Sequence, residues 1–251
     1  SSVTGAGGSG YLFSPIASGN IDVSTGAGYG MGNYGVGNYG TAKQSTTGTL
    51  TYPRIWSFAS FGDSMIMNAG DYMAGDGQKI YIWDGDTATS PAILINSPAD
   101  CNYVFTFNNA VVALCGNRVD ISSVGDATVW NPSTTTSAYS TDIERVRRFI
   151  GGATTRDSAL LFSENEVLYM RWVDQPEYYV IEDLMESDGL IGPNAFTVAE
   201  GNCTWFGKRG FYAFGGSGVQ RLSNVQNEDW IFENINEGQQ WKTFAAYDSK
   251  Y

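Results

Sequence analysis

The sequence predicts an all-β fold: a β-propeller-like repeat of short antiparallel sheets, incomplete, preceded by a Gly-rich extended segment. Three observations predict it. Four segments share one internal plan, their starts recur at intervals in the forties, and apolar residues alternate along short runs instead of recurring every three to four positions.

The four segments are SFASFGDSMIMN from Ser57 with QKIYIWDG from Gln78; YVFTFNNAVVALC from Tyr103 with NRVDISS from Asn117; GATTRDSALLFS from Gly152 with NEVLYMRWV from Asn165; and AFTVAEGNCTWFG from Ala195 with RGFYAFGG from Arg209. Each reads as a short strand, a turn rich in Gly, Asn or Asp, an apolar strand, a second polar turn and a third strand with alternating large residues. The starts at 57, 103, 152 and 195 lie 46, 49 and 43 residues apart. Radially stacked antiparallel sheets give such a period, whereas helical repeats of that length carry 3.6-residue periodicity. A β-sandwich or two small β domains also space strands regularly, but without a fixed internal order. TDIERVRRFI, from Thr141 to Ile150, reads either as a helical turn or two, capped by Thr141 and stopped by Gly151, or as a connecting strand. WKTFAAYDSKY, ending at Tyr251, reads as the start of a strand, which predicts further blades in a longer protein; the start at Ser-Ser, without Met, fits either a processed form or a piece of a longer protein.

Composition divides the chain into a Gly/Tyr-rich extended segment, 1–50, and the propeller-like domain, 51–251, of about four repeats. Thirteen of the 31 glycines precede residue 51, where Asp22 and Lys43 are the only charged side chains. These two cancel, so the whole net charge of −12 lies in 51–251. Within the first segment, GAGYGMGNYGVGNYG at 26–40 places Tyr29, Tyr34 and Tyr39 five residues apart. Such a run has few side chains to bury and loses much backbone freedom on ordering, so it does not fold alone. Its tyrosines are candidate interface residues, an extended arm docking on a neighbouring subunit; a mobile linker is the plainer alternative.

An acidic surface does not grip phosphate backbones, which takes Lys and Arg. It is compatible with a surface that DNA passes without sticking. Cys101, Cys115 and Cys203 are an odd count without CxxC spacing, which signals neither a disulfide framework nor a zinc site and predicts buried free thiols. No apolar run approaches the length needed to span a bilayer.

Histidine is absent, which removes the common triads, the usual zinc sites and the commonest general base. GAGGSG at 5–10 outlines a phosphate loop but lacks the GK[ST] that would follow. The remaining candidates for chemistry are carboxylates: Asp84 with Asp86, Glu164 with Glu166, and Glu182, Asp183, Glu186 and Asp188. Facing pairs could cleave a glycosidic bond or offer oxygens to calcium; at turns between strands, solvated acids are the plainer expectation. Trp172, Tyr178 and Tyr179 could stack on sugars or fill gaps between blades. Arg145, Arg147 and Arg148 form one dense basic patch, paired either with neighbours such as Asp142 and Glu144 or with carboxylates of another subunit.

The run from Leu160 to Asn224 carries a series of ordered motifs: Tyr169-Met170-Arg171 closing an apolar strand, then Gly189, Leu190, Ile191, Gly192, Pro193 and Asn194, then Trp205 and Phe206, then Gly210, Phe211, Tyr212 and on to Gly216. This series resembles the tail nozzle proteins of short-tailed bacteriophages, also known as tail tubular protein B or packaged-DNA stabilisation proteins. SVGDATVWNPS from Ser123 and the Gly-Tyr-Gly block resemble the same family, and the likeness covers most of 50–245. Asp188 stands where that family often has Cys. The resemblance implies a virion structural protein of the phage tail, not an enzyme and without cofactor. It implies a hexameric ring below the adaptor and portal, through which double-stranded DNA leaves the capsid. The competing expectations are a carbohydrate-binding or carbohydrate-active propeller, and an adhesion protein with a low-complexity tail.

Overall fold

The computed structural model describes residues 23–24, 50–51, 54–70, 78–86, 88–184, 188–216, 218–222 and 225–248. Two short strands, β1 (Val23–Ser24) and β2 (Leu50–Thr51), pair antiparallel, which brings residues 24 and 50 together. The remainder of 1–50, including GAGYGMGNYGVGNYG, lies outside the described residues.

Four antiparallel four-stranded sheets follow. Sheet I holds β3 (Ile55–Phe61), β4 (Ser64–Gly70), β5 (Ile80–Trp83) and β6 (Ala92–Ile93). Sheet II holds β7 (Tyr103–Phe107), β8 (Ala110–Cys115), β9 (Arg118–Ile121) and β10 (Tyr139–Asp142). Sheet III holds β11 (Phe149–Thr154), β12 (Ser158–Ser163), β13 (Val167–Trp172) and β14 (Tyr179–Asp183). Sheet IV holds β15 (Phe196–Ala199), β16 (Asn202–Phe206), β17 (Phe211–Phe214) and β18 (Val219–Arg221). Each sheet keeps chain order, and none closes on itself. The architecture is all-β, propeller-like and incomplete.

Face-to-face stacking follows from the strands that are apolar throughout. Every residue of AVVALC in β8 and of SALLFS in β12 is buried, so sheets II and III each bury both faces. Alternate residues serve different neighbours. Leu161 of β12 joins Val112, Leu114, Leu168 and Met170 between sheets II and III. Leu160 and Phe162 join Trp205, Tyr212 and Phe214 between sheets III and IV. Ile66 and Ile80 of sheet I meet Val104, Val111 and Ala113 of sheet II. Close approach of the first strands is visible at Gly152, where a Cβ would lie 2.3 Å from the ring of Phe105.

Five expectations change. Each repeat has a fourth strand, unseen in the sequence because β6, β10 and β18 are short and largely polar or exposed. TDIERVRRFI forms the end of β10, a loop and the start of β11, because Phe149 and Ile150 are drawn into the core between sheets. A helix, α1 (Val225–Asn234), and a 3-10 helix, Glu237–Lys242, follow sheet IV. WKTFAAYDSKY does not begin a strand: Trp241 sits in the 3-10 helix, and Phe244 makes one isolated parallel bridge to Asn194. Cys101 and Cys115 are joined by a disulfide across neighbouring strand ends, next to the Tyr103–Leu114 pair. Sheet register brings them together, and no spacing motif encodes that.

Cys203 remains a free thiol, wholly buried on sheet IV, and burial pushes its pKa up to about 12. The neutral thiol is favoured in the fold, so its contribution to stability is full below the ordinary thiol pKa and is lost as pH rises through the folded value. Thiol titration of unreduced protein at pH 8 is expected to find no reactive group when native and one in denaturant, rising to three after reduction. Three reactive thiols in denaturant without reductant would contradict the Cys101–Cys115 bond.

Candidate functional site

Two of the three arginines of the basic patch pair with carboxylates of their own chain. The patch occupies the loop from sheet II to sheet III, anchored by buried Val146. Arg148 pairs with Glu164, both side chains about four-fifths buried, and Arg145 reaches Glu166 and Asp183. The partners are thus not Asp142 and Glu144 but the β12–β13 turn and β14. Ser163 shapes that turn, its hydroxyl accepting from the amides of Asn165 and Glu166. Arg147 is exposed and makes no ion pair among the described residues.

These pairings also account for the carboxylates. Asp84 accepts hydrogen bonds from the Thr89 hydroxyl and the Asp86 amide, which hold its carboxyl below the usual range. Glu182 pairs with Arg171 across β13 and β14, while Glu186 lies outside the described residues. Among the described residues, no three His, Cys, Asp or Glu groups stand together so as to hold a metal ion.

The motif residues 189–194 form a buried connector from sheet III into sheet IV. Gly189 through Pro193 are buried and Asn194 is exposed. The Leu190 amide donates to the Ser163 carbonyl and the Ile191 amide to Phe206, while the amides of Ala195 and Lys208 donate to the Gly192 and Gly189 carbonyls. A Cβ on Gly189 would stand 2.3 Å from Asn165 N and Glu164 C, and one on Gly192 would stand 2.7 Å from the Gln240 carbonyl. Asp188 heads the connector, buried, its carboxylate accepting from the exposed Arg209, whose guanidinium pKa it raises further. Gly210, Phe211 and Tyr212 belong to the β16–β17 hairpin: Tyr212 faces sheet III and stacks on Trp205, while Phe211 stacks on Phe206 on the other face. Apart from exposed Asn194, residues 189–194 and 210–212 serve as packing positions between sheets III and IV.

Of the three aromatic residues singled out for sugar stacking, Tyr179 is buried between sheets II and III, and Trp172 packs edge-on against it. Tyr178 lines an open groove of about 590 Å³ with Tyr139, Pro132, Thr136 and Pro176. Tyr29, Tyr34 and Tyr39 lie outside the described residues.

One exposed apolar face was missed by sequence reading. The second face of sheet I carries Trp56 and Phe58 on β3, Met65 and Met67 on β4, Tyr81 and Trp83 on β5, and Ile93 on β6, in cross-strand register. Trp56 and Phe58 stack with centroids 6.0 Å apart, yet remain 45% and 59% exposed. No buried cluster includes any residue of this face. At the other end, α1 packs Phe232 edge-on against Phe206 on the outer face of sheet IV and turns Trp230 outward at 63% exposure. The signal for the open face was in IWSFASF, where large apolar residues occupy both parities of one strand.

No family model and no curated protein matches the chain. Among solved structures it is similar to the extracellular domain of a hybrid two component system, BT4673, from B. thetaiotaomicron: TM-score 0.46, 9% identity, covering 74% of this chain and 24% of that one. It is also similar to the AfRom2 CNH domain (TM-score 0.39, 12% identity, 70% and 57% covered) and to the computationally designed Ika4 protein (TM-score 0.36, 12% identity, 66% and 90% covered). At these values the likenesses identify neither a family nor an activity.

Two substitution series follow from the packing. Arg148→Glu is expected to destabilise by about 1–3 kcal/mol, because it leaves the largely buried Glu164 facing a like charge, whereas Arg147→Glu shifts stability by less than about 0.5 kcal/mol. Gly189→Ala is expected to cost about 2–3 kcal/mol, its methyl group meeting backbone that cannot rotate away. Chemical denaturation of the three variants checks both, and an unperturbed Gly189→Ala would overturn the close approach.

Proposed function

We propose that the chain is a virion structural protein, a subunit of the tail nozzle of a short-tailed bacteriophage, part of a ring-shaped conduit and gate that retains and ejects double-stranded DNA. The observation that carries its character as an assembly subunit is the open apolar face of sheet I. Aromatic side chains stacked on a solvated sheet face lower the solubility of a monomer but are ordinary at an interface. The phage nozzle itself rests on the motif series from Tyr169 to Gly216. The charge of −12 supports a lumen from which phosphates are repelled, so that DNA slides without specific contacts. In this reading the protein holds no catalytic group and no cofactor; shape, symmetry and repulsion do the work. Its partners are further copies of itself, in a hexameric ring by family resemblance, and the tail adaptor and portal proteins.

The groove beside Tyr139 and Tyr178 favours a second reading, carbohydrate binding by aromatic stacking. Electron micrographs of the purified protein, a gel-shift assay with duplex DNA at about 150 mM salt, and a glycan screen separate the two. Sixfold rings, free DNA and an empty screen are expected. A monomer at every concentration that binds a glycan would overturn the nozzle in favour of the second reading.

A further inference from the structure

We infer that the open face of sheet I is the docking surface for helix α1 of a second copy of this chain. The inference deepens the reading of the chain as an assembly subunit and rests on it. The face offers a flat apolar floor, Trp56, Phe58, Met65 and Ile93, each more than a third exposed. The alternation of β3 and β5, continued one step outward from each strand, puts exposed Arg54 and Lys79 on the same side and at the same end of the sheet. That end of the floor is therefore cationic, while exposed Asp63, Asp84 and Asp86 lie at the opposite end.

Helix α1 presents the complementary chemistry. Trp230, 63% exposed, is flanked by exposed Asp229 and Glu233, the latter one turn away on the same face. Its opposite side is already committed, since Phe232 packs on Phe206 and Glu228 is buried against Arg221. Phe232 on Phe206 is a helix-on-sheet contact that this chain already makes at sheet IV, and the same kind of contact fits sheet I. The contact joins two different surfaces, so one copy's face takes the next copy's helix, and a chain of such contacts either closes into a ring or continues. Trp230 fills the role of a buried aromatic anchor, with the carboxylates meeting Arg54 and Lys79 at the rim.

Two single substitutions and their mixture test this. Phe58→Asp blocks the face and Trp230→Asp blocks the helix; both sites are exposed, so each variant is expected to keep the wild-type melting profile. Val124→Asp, at an exposed residue in the connection after β9 of sheet II, is the control. Sedimentation velocity is expected to show that wild type and Val124→Asp assemble, and that each blocked variant alone dissociates with at least a tenfold weaker association constant. An equimolar mixture of the two blocked variants is expected to form a heterodimer, because the mixture restores one intact face and one intact helix. The wild-type assembly should also weaken as salt rises from about 50 to 500 mM, as the rim charges are screened. Assembly that survives both substitutions overturns the docking surface and leaves the assembly reading standing. Blocked variants whose mixture stays monomeric overturn the face-to-helix contact in favour of a like-with-like one. A wild-type chain that is monomeric at all concentrations, its face covered by its own N-terminal residues, overturns both.

Discussion

A β-sheet that is apolar on both faces must be covered on both, and this one constraint organises the molecule. β8 and β12 are buried at every position, so sheets II and III cannot exist without neighbours on each side. Stacking the sheets satisfies the inner faces and shifts the problem to the two ends of the row. At the far end the chain supplies a partial cover, Phe232 of α1 with Ile235 just beyond the helix. At the near end Trp56, Phe58, Met65 and Ile93 remain open. The arc of sheets, the terminal helix and the proposed assembly are three responses to one demand for burial.

The sequence made the repeat legible because hydrophobic alternation and turn residues are local. Gly62, Gly116 and Gly201, all at positive φ, sit in the hairpins that punctuate the repeat. Less legible was whatever depends on tertiary partners. The edge strand Ala92–Ile93 is exposed, and two residues carry too little pattern to be read. Helix α1 announces itself only by an acidic first turn at Glu228 and by the pairing of Phe232 with Ile235, one helical turn apart. The Cys101–Cys115 bond depends on the register of β7 against β8, and the arginine pairs depend on a loop from sheet II reaching the β12–β13 turn.

The candidate sites divide along the same line. Residues 189–194 and 210–212, singled out as a motif, are where sheet III hands the chain to sheet IV under tight backbone packing. Arg145 and Arg148 neutralise the carboxylates nearest them, and Arg147 alone of the three stays outward without an ion pair among the described residues. Most of the acidic excess thus stays on the surface, while large apolar side chains collect on one face of sheet I. The proposed conduit draws on both, the first to repel phosphates and the second to assemble.

The central claim is that this face is buried between copies. Hydrogen exchange of β3–β4 and α1 peptides, followed as protein concentration is raised, tests it most directly. The account predicts that amides of Ile55–Gly70 and Val225–Asn234 gain protection together across the same concentration range, while those of β8 and β12 stay equally slow throughout. Exchange in both segments that is independent of concentration would contradict it.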